Sequence, residues 1–153
     1  MNAATHGFKS KTLATWIALL GGSLGLHRFY LHGMRDRWAW LFPAPTLIGL
    51  YGVQRMRQLG ADDPWAWVLI PILGLVLSVA MLSAIVYGLT PDERWNARFN
   101  PHGPADRAGW AAVIGVVLAL IFGAGVLMAT LAFSAQRYFE YQTLQANSKR
   151  LAQ

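Results

Sequence analysis

Of the 153 residues, 55% are apolar and 13% are charged, against about 25% charged in an ordinary soluble domain. The shortfall argues against water as the only solvent, and the length sets one domain as the expectation. The formal net charge is +6 and the isoelectric point is near 10.2. Yet the cations stand at the ends of apolar runs rather than in one stripe, a pattern that belongs to membrane anchoring and excludes nucleic acid as the partner. With no cysteine there is no disulfide, no thiolate chemistry and no Cys-ligated metal.

Residues 1 to 11 form a short polar tail, and Ser10 or Thr12 is placed to cap a first helix. Leu13 to Leu26 then carries no charged residue. As a helix it reaches only about 21 Å, so a full span requires HRFYL, 27 to 31, to continue it. The run could pass for a signal-peptide core, but no small-residue cleavage site follows and it is expected to be retained. Gly21 and Gly25 stand at GxxxG spacing, which predicts close helix packing in lipid; a glycine-rich bend is the alternative.

HGMRDR, 32 to 37, is a polar turn. The second uncharged run, Trp38 to Val53, reaches about 24 Å and contains Pro43 and Pro45. Both short runs are read as spans, the alternative being a buried hairpin that enters the bilayer part way. After the loop QRMRQLGADDP, 54 to 64, the runs Trp65 to Thr90 and Ala108 to Gln136 meet spanning length outright. D-x-W-A-W occurs at Asp36 and again at Asp63. This is either a faint internal repeat or a pair of interfacial tryptophan anchors, the second reading being preferred. The expected anchors are Trp38, Trp40, Trp65, Trp67, Trp95 and Trp110.

TPDE at 90 to 93 predicts a short helix through ERWNARF, 93 to 99, capped by Thr90. Trp95 and Phe99 share one face and Arg94 and Arg98 the next, which suits a helix lying in the interface plane. NPHGP ends it. Ala80, Ala84 and Gly88 recur every four residues in the third span, and Gly115, Ala119 and Gly123 in the fourth. Both are packing faces that need a partner, either each other or another subunit. The stretch after Gln136 continues the fourth helix into water.

The expected fold is therefore an all-α integral membrane protein with four transmembrane helices in two hairpins. The hairpins cover 9–58 and 64–153, with an interfacial helix in the 90–108 loop and a C-terminal helical extension. Four spans place both tails and the 54–64 loop on one side. A narrow cation majority puts that side in the cytoplasm, and the expected location is a bacterial inner membrane.

KSKTLATWIALLGGSLGLHRFYLHG, 9 to 33, resembles the TM-two domain family, which has a lysine-rich start, a glycine-rich first helix and a G-x-HRFYLG signature. Gly25, His27, Arg28, Phe29, Tyr30, Leu31 and Gly33 match, and His32 departs as an insertion would. The resemblance covers about residues 9–58. In that family an aromatic followed by an aspartate usually ends the second helix; here Tyr51 is kept, but Gln54 and Arg55 stand where the acid is expected. The resemblance implies a membrane protein and no established reaction. Animal members are usually drawn with the signature turn facing the cytoplasm, against the cation count.

The turn residues His27, Arg28, Phe29, Tyr30, Arg35 and Arg37 are the candidate contact set for lipid or a partner. Arg28 can snorkel to a phosphate or a helix C-terminal carbonyl, join an interhelical network with His27, Tyr30 or Tyr51, or dock a subunit or an anionic lipid. His27 and His32 are five apart with no acid at ligand spacing, so neither a metal nor any other cofactor is expected. Every acid falls in a loop or the tail, no serine has a base and an orienting acid, and no phosphate-cradling loop is present. The expectation is a non-enzymatic protein working by helix association, with anionic headgroups and other subunits or itself as partners: an accessory or scaffold subunit, or a homo-oligomer. A small oligomeric channel or transporter, its path lined by the segment broken at Pro43 and Pro45, is the alternative. A lipid enzyme using His102 and Asp106 ranks last.

Overall fold

A computed structural model describes residues 8–151, and among these every regular element is helical. The chain forms α1 (Lys11–Gly21), a 3-10 turn (Gly22–Leu24), α2 (Leu26–His32), α3 (Arg37–Leu41), α4 (Pro43–Leu59), α5 (Pro64–Leu89), α6 (Asp92–Phe99) and α7 (Trp110–Leu151). The expected polar tail falls partly in residues 1–7, outside the described part. Ser10, not Thr12, caps α1, its side chain accepting from the N–H of Leu13.

The organising element is α5, against which α1, α4 and α7 all pack. Among the described residues, α5 and α7 are the two helices long and apolar enough to cross a membrane, and only 11% and 17% of their most apolar stretches are buried. Apolar side chains such as Leu82, Val86, Leu120 and Ile121 stay exposed. A soluble core helix would bury such a surface; a helix in hydrocarbon has no need to. Pro71 is carried inside α5 without ending it.

The first apolar run does not span. α1 ends at Gly21, and Gly25 adopts a left-handed backbone, φ +74°, from which α2 starts back alongside α1. The return is fixed by contacts at the start of α1: the Tyr30 hydroxyl accepts from the Ser10 N–H at 2.9 Å, and Leu31 packs with Ala14. HRFYL thus climbs back instead of completing a crossing. The Gly21–Gly25 spacing serves a bend, because Gly25 needs a positive φ and a Cβ there would meet the Ala39 carbonyl oxygen at 2.6 Å. Four spans are accordingly not formed as expected.

From the turn at 33–36, α3 and α4 descend with a break at Phe42, just before Pro43. Gly49 and Gly52 of α4 lie against Leu73 and Leu69 of α5, so α4 and α5 are antiparallel. α7 runs back down α5, with Gly88 against Val116, Gly123 against Met81 and Gly74 against Thr130. Arg137 reaches the ring of Trp67 near the start of α5, and the rest of α7 extends about 20 Å further down.

These contacts correct the expected sidedness. Lys9 and Lys11 lie where α5 ends, at what we term the upper end, together with α6 and the turn at 33–36. The 60–63 loop and the tail of α7 lie at the lower end. Hence the described N- and C-terminal segments sit at opposite ends of the bundle. The 9–58 and 64–153 segments are also interlocked, since α1 lies along both α5 and α7.

The small-residue faces meet within the chain. Ala84 and Ala119 form a buried cluster with Ala18 and Leu19 of α1, Ala80 lies against Gly22, and Gly88 and Gly115 both approach Thr15. Each small side chain lets α1 settle closely between α5 and α7.

Candidate functional site

At the upper end a cavity of about 320 Å³ lies between α2, the last turn of α5 and α6. Arg28, His32, Arg94 and Arg98 line it with Tyr87, Trp95 and Phe99, and among the described residues no carboxylate contributes to the lining.

α6 is held over this cavity by the chain segment that precedes α1. Trp95 is almost fully buried, packs between Tyr87 and Phe99, and donates its indole N–H to the Lys9 carbonyl at 2.9 Å. Asn100 accepts from the Lys9 N–H and donates to the Lys9 carbonyl. The Lys9 ammonium donates to the Tyr30 carbonyl at 2.6 Å. Lys11 is buried, and its ammonium donates to the Thr90 carbonyl at 2.8 Å and to the Asp92 carboxylate. The bond from Lys11 holds the Asp92 carboxyl below the usual carboxylate range. Asp106 accepts from the Lys11 N–H, and its own N–H and carbonyl bond to the Asn96 side chain. Trp95 therefore departs from the expected role: it is a core residue, whereas Trp38, Trp40, Trp65 and Trp110 are well exposed. Thr90 caps the end of α5, while Pro91 precedes α6.

With Trp95 turned inward, Arg94 and Arg98 share the neighbouring side of α6, one turn apart, and are exposed. Neither forms an ion pair among the described residues. Arg28 does: its Nε donates to Asp36 at 2.9 Å. Burial pushes the Asp36 carboxyl up, but the bonds from Arg28 and from the Trp38 N–H outweigh it, and the group stays below the usual range. His32 lies edge-on to Phe99. The cavity is thus cationic with an aromatic wall, and its guanidiniums can donate to phosphate or carboxylate oxygens in bidentate fashion.

The other signature residues divide by role. His27 is buried against Phe42 and Tyr87, and its Nδ1 has no hydrogen-bond partner among the described residues. Phe29 meets Trp40 edge-on, and Tyr30 ties α2 to Ser10. Arg35 and Arg37 are exposed but do not line the cavity. Joining Arg94 and Arg98 to Arg28 lay beyond sequence reasoning, which had placed them only on an interfacial helix. Asp106 is engaged with Lys11 and Asn96, and no hydrogen bond joins it to His102. No family model matches the chain, nor does any curated protein or solved structure.

Proposed function

We propose that the chain is a non-enzymatic integral membrane protein that works by association, and that its upper-end cavity holds the phosphate of an anionic phospholipid. The carrying observation is the convergence of Arg28, Arg94 and Arg98 on one cavity without a lining carboxylate. Its position supports lipid over a free anion. Val86 lines the cavity, and Leu82, Val79 and Leu75 continue the same α5 face downward, all exposed and all apolar. A headgroup in the cavity leaves its acyl chains along that face. The resemblance of residues 9–33 to the TM-two domain family fits a membrane protein of this kind.

In this reading α3 and α4 together form a third crossing beside α5 and α7, and α1–α2 dips in and returns. The upper end then faces the cytoplasm, because Lys9, Lys11, Arg28, Arg35, Arg37, Arg94, Arg98 and Arg107 gather there, against Arg55, Arg57, Arg137, Lys149 and Arg150 below. Such a protein serves as an accessory subunit seated at anionic lipid. The test is thermal unfolding in detergent with added phosphatidylglycerol or phosphatidylcholine. A ligand at a hundred times its dissociation constant stabilises by about 2.7 kcal/mol. Phosphatidylglycerol should raise the melting temperature, and the Arg94→Gln/Arg98→Gln variant should lose the rise; equal shifts from both lipids would refute the reading.

A further inference from the structure

Residues 22–40 and 49–67 both read G-x2-G-x2-R-x4-G-x2-D-x-W-A-W, each position recurring 27 residues later, as 28 against 55 and 36 against 63. From the arginine onward the two copies share their turn geometry, whereas Gly25 is left-handed and Gly52 lies within α4. Gly33 and Gly60 end the preceding helices at φ +79° and +93°, their N–H groups bonded to the carbonyls of Phe29 and Met56. Asp36 and Asp63 stand at the N-caps with φ, ψ of −72°, 108° and −71°, 113°. Each aspartate accepts from the arginine eight residues before it, Arg28 at 2.9 Å and Arg55 at 2.7 Å. The Trp40 indole donates to the Met34 carbonyl, and the Trp67 indole to the Ala61 carbonyl. Trp38 and Trp65 are each 66% exposed, while Ala39 and Ala66 are fully buried. Gly25 would touch Phe42 through an added Cβ, and Gly52 would touch Leu69, again 27 positions apart.

We infer that residues 22–48 and 49–75 are two inverted copies of one unit, whose turns form a matched pair of lipid-headgroup anchors, one in each leaflet. Inversion follows from the path: the first copy rises through α2, turns and descends, whereas the second descends through α4, turns and rises through α5. Between the turns, Arg37 to Leu59 covers about 34 Å, close to the roughly 30 Å of a bilayer core. Exposed indoles beside a paired arginine suit headgroup depth. The Arg55–Asp63 turn is therefore a second lipid-contact surface, opposite the cavity.

The inference rests on the membrane reading but not on the cavity. The chain has no cysteine, so Arg35→Cys/Asp62→Cys places one thiol on each turn, at exposed and equivalent positions. Sealed vesicles, washed at alkaline pH to retain only integral protein, are treated with an impermeant polyethylene-glycol maleimide and resolved by mass. One label per molecule before detergent and two after it are expected, whichever way the protein inserts. Molecules with two labels or none in sealed vesicles would overturn the inference, as would thiols unreactive even in detergent. Should the Arg35 variant misfold, Gly103→Cys/Asp62→Cys, with open space at Gly103, reads the same sidedness. Loss of the protein in the wash would instead refute the membrane reading itself.

Discussion

The Tyr30 hydroxyl accepts a hydrogen bond from the backbone N–H of Ser10 at 2.9 Å, across twenty residues of sequence. Were Lys11 to Leu31 one straight helix, those groups would lie about 30 Å apart. The bond records the reversal of the first apolar run, and that reversal carries Arg28 up to meet α6.

The reversal depends on Gly25. A side chain at its left-handed φ costs about 1–2 kcal/mol, and a Cβ there also meets the Ala39 carbonyl at 2.6 Å. Gly25→Ala should destabilise the protein by about 2 kcal/mol or more in detergent unfolding. Gly125→Ala, in a helix with nothing within 4 Å, should be neutral or slightly stabilising.

Lys11 is the second point of control. Lys11→Met removes a buried ammonium from Thr90 and Asp92, and bonds to a charged group are worth about 1.5–3 kcal/mol each. Asp92 titrates lower in the folded state than in the unfolded one, so its contribution is present above the unfolded pKa of about 3.9. It is lost as pH falls below that value through the folded pKa. Melting temperatures taken from pH 7 to pH 3 should show an acid limb below about pH 4. In Asp92→Asn the melting temperature should be lower at pH 7 and the acid limb shallower, with Asp36 and Asp63 still contributing.

The small-residue faces predict a choice between stability and assembly. An added Cβ at Gly88 would overlap the Val116 side chain, and overpacking of this kind costs about 1–3 kcal/mol. Gly88→Val should lower the melting temperature and leave the oligomeric state by light scattering unchanged. A change of oligomer with stability kept would return this face to a partner subunit.

Much of the frame was legible in the sequence. α5 and α7 follow from uncharged runs long enough to cross a bilayer, and α6 from the pattern of ERWNARF. The first run misled because glycines at GxxxG spacing suit a packed helix and a bend equally; only the backbone at Gly25 separates them. Trp95 looked interfacial because its contact with the Lys9 carbonyl is 86 residues away in sequence. The cavity stayed hidden for the same reason, Arg28 and Arg94 being brought together only by the strap of Lys9 to Lys11. D-x-W-A-W alone favours a pair of tryptophan anchors over a repeat, because the arginine and glycine positions gain meaning only from the matching turns and Arg–Asp bonds.

The most direct measurement is native mass spectrometry of the protein released from an equal mixture of phosphatidylglycerol and phosphatidylcholine. The account predicts one retained phosphatidylglycerol on the wild-type chain, and its loss in Arg94→Gln/Arg98→Gln with the fold intact. Equal retention of the two lipids, or retention unchanged by removal of both arginines, would contradict it.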